Sequence, residues 1–137
     1  MHSEIKANYL KGLNGQIIAL QETWNNKDLI EALFQTIDMV VRTNKRGGGT
    51  ATILSNFYEY QIQKTISINK DTNLIKLNFR NNYIWLANIY LRQGTTSKLQ
   101  KLFGKIQKYV PQNELSQLLV IGDFNVNIEN KEDNMCF

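Results

Sequence analysis

Two runs of consecutive apolar residues, "IIAL" (Ile17–Leu20) and "LLVIG" (Leu118–Gly122), limit what this chain can fold into more than any other feature. A strand whose apolar side chains point both ways needs cover on both faces, so neither run suits a sheet with one wet side. Between them come "MVV", "TATIL", "LIKLNF" and "IWLANIY", short runs bounded by turn residues. The run Leu74–Phe79 alternates apolar with polar residues, "RNN" makes a tight turn, and Tyr83–Tyr90 completes a hairpin signal. The run Gln16–Glu22 reads as a buried strand, Ile37–Thr43 as another, and "NKRGGG" as the turn that leads into "TATIL".

Helical periodicity is found in three stretches. Ser3 can cap one, with Ile5, Tyr9, Leu10 and Leu13 on a single face and Asn14-Gly15 as the stop, and Asp28 can cap "LIEALFQ". Ser97 can cap "KLQKLFGKIQKYV", where Leu99, Leu102, Phe103, Ile106 and Val110 make one apolar stripe, lysines take the other face and Pro111 ends the helix. Residues 126–137 are polar, without periodicity, and read as a tail. The expectation is one α/β domain spanning residues 1–137.

Composition narrows the class. At 42% hydrophobic and 20% charged residues the chain is globular, and a net charge of +4 is compatible with a polyanionic partner. The single cysteine, Cys136, excludes an internal disulfide and favours a reducing compartment, nuclear or cytoplasmic. No window approaches 18 consecutive apolar residues and the amino terminus has no apolar h-region, so neither a membrane span nor a signal peptide is expected.

Four stretches, taken in order, carry a resemblance. "IIALQETW" with Glu22, "RGGGTATIL" from Arg46, "ANIY" ending at Tyr90, and "IGDFN" with Asp123 and Asn125 resemble the endonuclease/exonuclease/phosphatase superfamily, the fold of DNase I and AP endonucleases, in the flavour of non-LTR retrotransposon endonucleases. The resemblance spans Gln16–Asn125, about the first half of a family domain. It implies a partial DNase I-like sandwich of mixed β-sheet with flanking helices, without the family's first strand and its carboxyl-terminal half.

The resemblance also implies roles. Glu22 matches the family's Mg²⁺ ligand, since a cation must neutralise charge at the scissile phosphate. Asp123 and Asn125 match the pair that orients the attacking water and holds the phosphate, and Tyr90 matches a phosphate-contacting tyrosine. The same residues also have bland readings: an exposed strand-end Glu for Glu22, and an Asx-type turn for Asp123 and Asn125. After Tyr90 the family commonly runs through a proline, where this chain has Leu91 and Arg92. Gly47-Gly48-Gly49 can make a hairpin turn or let a backbone approach a phosphate. Arg42, Lys45 and Arg46 beside it are the candidate nucleic-acid contacts, and Trp24 and Trp85 read as packing residues.

The family's His, the Asp partnered to it and the first-strand Asn have no counterpart, because the sole histidine is His2. The implied function is therefore a catalytically inactive nuclease-like domain, an accessory subunit or scaffold of a nucleic-acid-handling complex, with no cofactor expected. The alternative is a Mg²⁺-dependent endonuclease or phosphoesterase whose remaining residues are supplied elsewhere. A half-sandwich also leaves an apolar face uncovered. At a standard interface scale of roughly 800 Å² per partner and about 25 cal/mol per Å², that face forgoes on the order of 20 kcal/mol gross. A protein partner or a second copy of the chain is expected to cover it, with DNA or RNA contact through the complex.

Overall fold

The computed structural model describes residues 17–23, 28, 30, 37–41, 47–55, 60–79 and 81–125. The amino-terminal helix, most of the helix after Asp28, Trp24, the basic trio Arg42, Lys45 and Arg46, and the tail lie outside the described residues; Asp28 and Ile30 are helical.

Among the described residues, seven strands form two sheets. In the first, β1 (Ile17–Gln21) and β2 (Ile37–Val41) both pair antiparallel with β3 (Thr50–Ser55), which lies between them. In the second, β4 (Tyr60–Asn69), β5 (Thr72–Phe79) and β6 (Asn82–Tyr90) run antiparallel in sequence order, and β7 (Leu118–Asp123) joins β6 in parallel. The second sheet is therefore mixed. A parallel neighbour needs a crossover, supplied here by helix α1 (Thr96–Gln107) and a short 3-10 turn over Gln112–Gln117.

Alternation along β5 and β6 decides what covers each face. Leu74, Trp85, Ala87 and Ile89 point to one side, where Leu102 and Ile106 of α1 and Val110 complete a buried cluster. Ile75 and Leu77 point to the other side and pack with Leu54 of β3, so the two sheets face each other across a second cluster. β6 is thus covered on both faces from Trp85 to Tyr90. The two runs read as needing such cover are instead sheet edges: β1 is half-buried throughout, and Leu119 of β7 is 52% exposed.

The longest strand, β4, is one to which the sequence reading gives no element. Its signal was present, an alternation through Ile62, Ile66 and Ile68, but Lys64 interrupts it and the register with β5 shifts at two places. The hairpin β5–β6 forms as expected, with Asn81 at φ 68° in its turn, a left-handed conformation that Asn tolerates. The cap of helix α1 is Thr95, two residues before the expected Ser97. Thr95 has the extended backbone of a cap and its hydroxyl oxygen accepts the Lys98 N–H at 3.2 Å. The helix ends at Gln107, short of Val110, because the residue before Pro111 is disfavoured in helical geometry.

Gly122 makes the β6–β7 pairing possible. At φ +151°, a Cβ there would stand 1.9 Å from the Ile89 carbonyl oxygen, so only glycine admits this approach of the strands.

Candidate functional site

The parallel register of β6 and β7 pairs Tyr90 with Asp123 at their carboxyl ends. β1 brings Glu22 to the same end, because Asn88, wholly buried in the middle of β6, ties the two sheets together. Its amide donates to the carbonyls of Leu20 and Ala51 at 3.2 and 3.1 Å, and its oxygen accepts from Gln21 at 2.8 Å. A buried amide that satisfies several partners fixes the sheet-to-sheet register as well as adding stability. It is the polar interruption of "IWLANIY", and the sequence reading gave it no role.

On that frame the Tyr90 hydroxyl donates to Glu22 Oε1 at 2.6 Å. Tyr90 is 8% exposed and forms the floor, while Glu22, Asp123 and Asn125 are exposed around it. The Asn125 N–H donates to Asp123 Oδ1 at 3.1 Å, which is the Asx turn the sequence allows, and its side-chain amide donates to the Leu91 carbonyl. The Leu91 N–H in turn donates to the Asp123 carbonyl at 2.9 Å. Glu22 and Asn125 both hold left-handed backbone, at φ 53° and 47°. The structure thus brings together Glu22, Tyr90, Asp123 and Asn125; it does not place Arg42, Lys45 or Arg46, which lie outside the described residues.

The glycine run is a hairpin-side loop strapped down by two charged residues that the motifs did not flag. Asp71 Oδ1 accepts the Gly49 N–H at 2.7 Å, and Arg92 Nη2 donates to the Gly47 carbonyl at 2.6 Å. A Cβ on Gly48 would stand 2.6 Å from Asp71 Oδ1. The Gly49 amide therefore serves Asp71. Asp71 is also held, since its N–H donates to Asn69 Oδ1 and its carbonyl accepts the Tyr90 N–H. No sequence signal distinguishes Asp71 from an ordinary turn acid in "NKDTN".

The Tyr90 phenol is pushed up to about 12, first by the hydrogen bond it gives Glu22, then by burial and the Glu22 charge. Arg92 pulls the other way and the Asp123 carboxylate adds a further upward push. Near neutral pH the phenol is therefore a hydrogen-bond donor between two carboxylates, with a guanidinium close by. Such a pole, with two exposed carboxylates, attracts a cation.

Among the described residues no group of three His, Cys, Asp or Glu side chains converges as a metal site would require. Mg²⁺ keeps several waters and takes one or two carboxylates with substrate phosphates. The donors present suit a cation that arrives with a phosphate, and do not make a standing protein-only site. Among the described residues no helix is long and apolar enough to cross a membrane.

No protein-family model and no curated protein matches this sequence. Solved structures do. TDP2 of Caenorhabditis elegans, in truncated form, matches at a TM-score of 0.68 and 20% identity over 93% of this chain and 56% of that one. An endonuclease/exonuclease/phosphatase family protein of Bacteroides thetaiotaomicron matches at 0.68 and 10% identity over 95% and 57%. An AP endonuclease of Archaeoglobus fulgidus matches at 0.62 and 23% identity over 90% and 52%. The chain spans about half the length of these structures. Its two-sheet arrangement, with the mixed second sheet, is the fold of the endonuclease/exonuclease/phosphatase superfamily, the one its motifs resemble.

Proposed function

We propose that this chain is a nuclease-like domain that does not cleave phosphodiesters by itself and acts as a non-catalytic subunit or scaffold of a nucleic-acid-handling assembly. The observation that carries this reading is the make-up of the pole. Glu22, Tyr90, Asp123 and Asn125 stand together where the resembled family handles its phosphate, but no imidazole stands among the described residues to take up and return a proton. Groups of this kind act as a unit, so partial retention costs far more than a proportional share of rate.

Nucleic acid is the favoured substrate class because the AP endonuclease among the structural relatives acts on it by name, and because the chain is basic, with a net charge of +4. A protein partner, or a second copy, is the favoured cover for the β7 edge, where Leu119 stands exposed beside an unpaired strand side among the described residues.

A second reading has its own support. Left-handed backbone at Glu22, a residue type that rarely adopts it, is costly, and such strain gathers at functional sites. It fits a divalent-cation-dependent endonuclease or phosphoesterase completed by residues supplied elsewhere. There, Mg²⁺ would supply charge neutralisation at the phosphate, Glu22 would hold it, Tyr90 would donate to a phosphate oxygen, and Asp123 with Asn125 would orient the incoming water.

Purification at endogenous level tests the first reading. The chain is expected to run with defined partners. Expressed alone it should self-associate or bind ANS, and the dye signal should fall in the complex. A chain that is monomeric at tens of micromolar, melts cooperatively and binds no dye contradicts it.

A further inference from the structure

We infer that the outer face of α1 is a docking surface for the sugar-phosphate backbone of a single-stranded nucleic acid, separate from the Glu22–Tyr90–Asp123 pole. Lys98, Lys101, Lys105 and Lys108 follow one another at intervals of three, four and three residues, and all four are exposed. At 3.6 residues per turn these positions fall within one narrow sector of the helix, and at about 1.5 Å per residue the stripe is about 15 Å long. A stacked strand presents one phosphate per roughly 3.4 Å of axis, so four successive phosphates fit this length.

The stripe is uncompensated. The helix Thr96–Gln107 contains no Asp or Glu, and among the described residues no ion pair engages these lysines; Lys98 donates only to the Gln93 carbonyl. Each consecutive pair sits at i, i+3 or i, i+4, where like charges repel. Lys98 also lies in the first turn, where the helix dipole disfavours a cation. Lys105 in the last turn and Lys108 at the C-cap suit the dipole, but the run of like charges does not, and a surface chosen for stability alone would intersperse acids here. The four charges equal the net charge of the entire chain, +4.

Three features choose the partner. A membrane-surface helix needs its apolar face for the lipid, and here Leu99, Leu102 and Ile106 are 3%, 4% and 0% exposed, consumed by the core. Beside the stripe the surface is thin: a Cβ on Gly104 would meet nothing within 4 Å, so a backbone can lie close along this side of the helix. At the end of the stripe Tyr109 is 50% exposed, the aromatic face on which an unpaired base stacks. Charge in a row with an adjoining aromatic is the pattern of single-strand binding.

Fluorescence anisotropy with a labelled 20-nucleotide DNA strand tests this on the full 137-residue chain. Each phosphate contact contributes about 0.7 to the slope of log affinity against log salt for single strands. Converting all four lysines to Gln should therefore flatten the slope by about 2.8, so that wild-type affinity falls by about 50-fold more than the variant's between 50 and 200 mM salt. Gln keeps helix propensity, and the four-fold Lys→Arg variant should retain the slope. Lys64→Gln with Lys70→Gln, two exposed lysines outside the stripe, should leave it unchanged. Glu22→Gln should leave it unchanged too, which separates this surface from the pole. An unchanged slope in the four-fold Gln variant, an equal loss per charge in the Lys64/Lys70 variant, or equal binding to phosphatidylserine vesicles or polyglutamate would overturn the inference.

Discussion

The two ends of the β6–β7 pair carry polar clusters of opposite character. At the Trp85 end, Glu114 of the 3-10 turn accepts from Lys76 Nζ and Trp85 Nε1, each at 2.9 Å, and the Lys76 ammonium lies 4.5 Å from the Tyr83 ring centre. Unlike charges are matched, and the lysine and indole donors hold the Glu114 carboxyl below its ordinary value. At the Tyr90 end, two carboxylates push one phenol up, the glycine loop is strapped across by Asp71 and Arg92, and backbone strain is retained at Glu22. The first cluster is a brace that settles its own charges. The second leaves the Glu22 and Asp123 carboxylates facing solvent over a buried, protonated phenol, which is the condition of a site.

The largest effect should come from removing what both ends share. Gly122→Ala drives a methyl into the Ile89 backbone and is expected to cost on the order of 4 kcal/mol in urea denaturation, or to prevent folding, because the parallel pairing itself is lost. A loss below about 1 kcal/mol would mean that the strands can separate without harm, and the comparison of the two ends would then lack its frame.

Breaking the brace should be milder and pH-dependent. Because the Glu114 carboxyl is held low, its contribution to stability is fully present above pH 4.5 and is lost as the pH falls through the lower folded value. Glu114→Gln should lower the melting temperature at neutral pH and flatten the acid limb of the stability curve. Equal melting of variant and wild type at neutral pH would show the brace to be ornamental.

The pole should respond least in stability and most in titration. In wild type the Tyr90 phenol should ionise near 12, identified by its loss in Tyr90→Phe, and in Glu22→Gln the midpoint should move back toward 10.0. Stability attached to the neutral phenol is complete below its ordinary value and is lost only as the pH rises toward 12, so neutral-pH melting should change little. A Tyr90 midpoint unmoved by Glu22→Gln would detach the phenol from the carboxylate.

Local periodicity explains what the sequence made legible. The β5–β6 hairpin and the apolar stripe of α1 are written in residues that are neighbours along the chain, whereas Glu22, Tyr90, Asp123 and Asn125 were marked only by the family resemblance, and the parallel register then sets Tyr90 beside Asp123. What was not legible depends on contacts distant in sequence. Asn88 bonds to residues 37 and 68 positions away, and Asp71 meets Gly49 across 22. β4 is not legible because Lys64 breaks the alternation of Ile62, Ile66 and Ile68 and its bulges disturb the register. Thr95 took the cap from Ser97 because both hydroxyls can cap and only the backbone geometry decides between them.

The proposed function requires that the Glu22–Tyr90–Asp123 pole turn over no phosphodiester by itself. The most direct measurement is Mg²⁺-dependent cleavage of supercoiled plasmid, abasic duplex and RNA by the 137-residue chain alone, compared with Glu22→Gln and Asp123→Asn. The account predicts no cleavage above background in any of the three proteins. Cleavage by the wild-type chain that either substitution abolishes would contradict it.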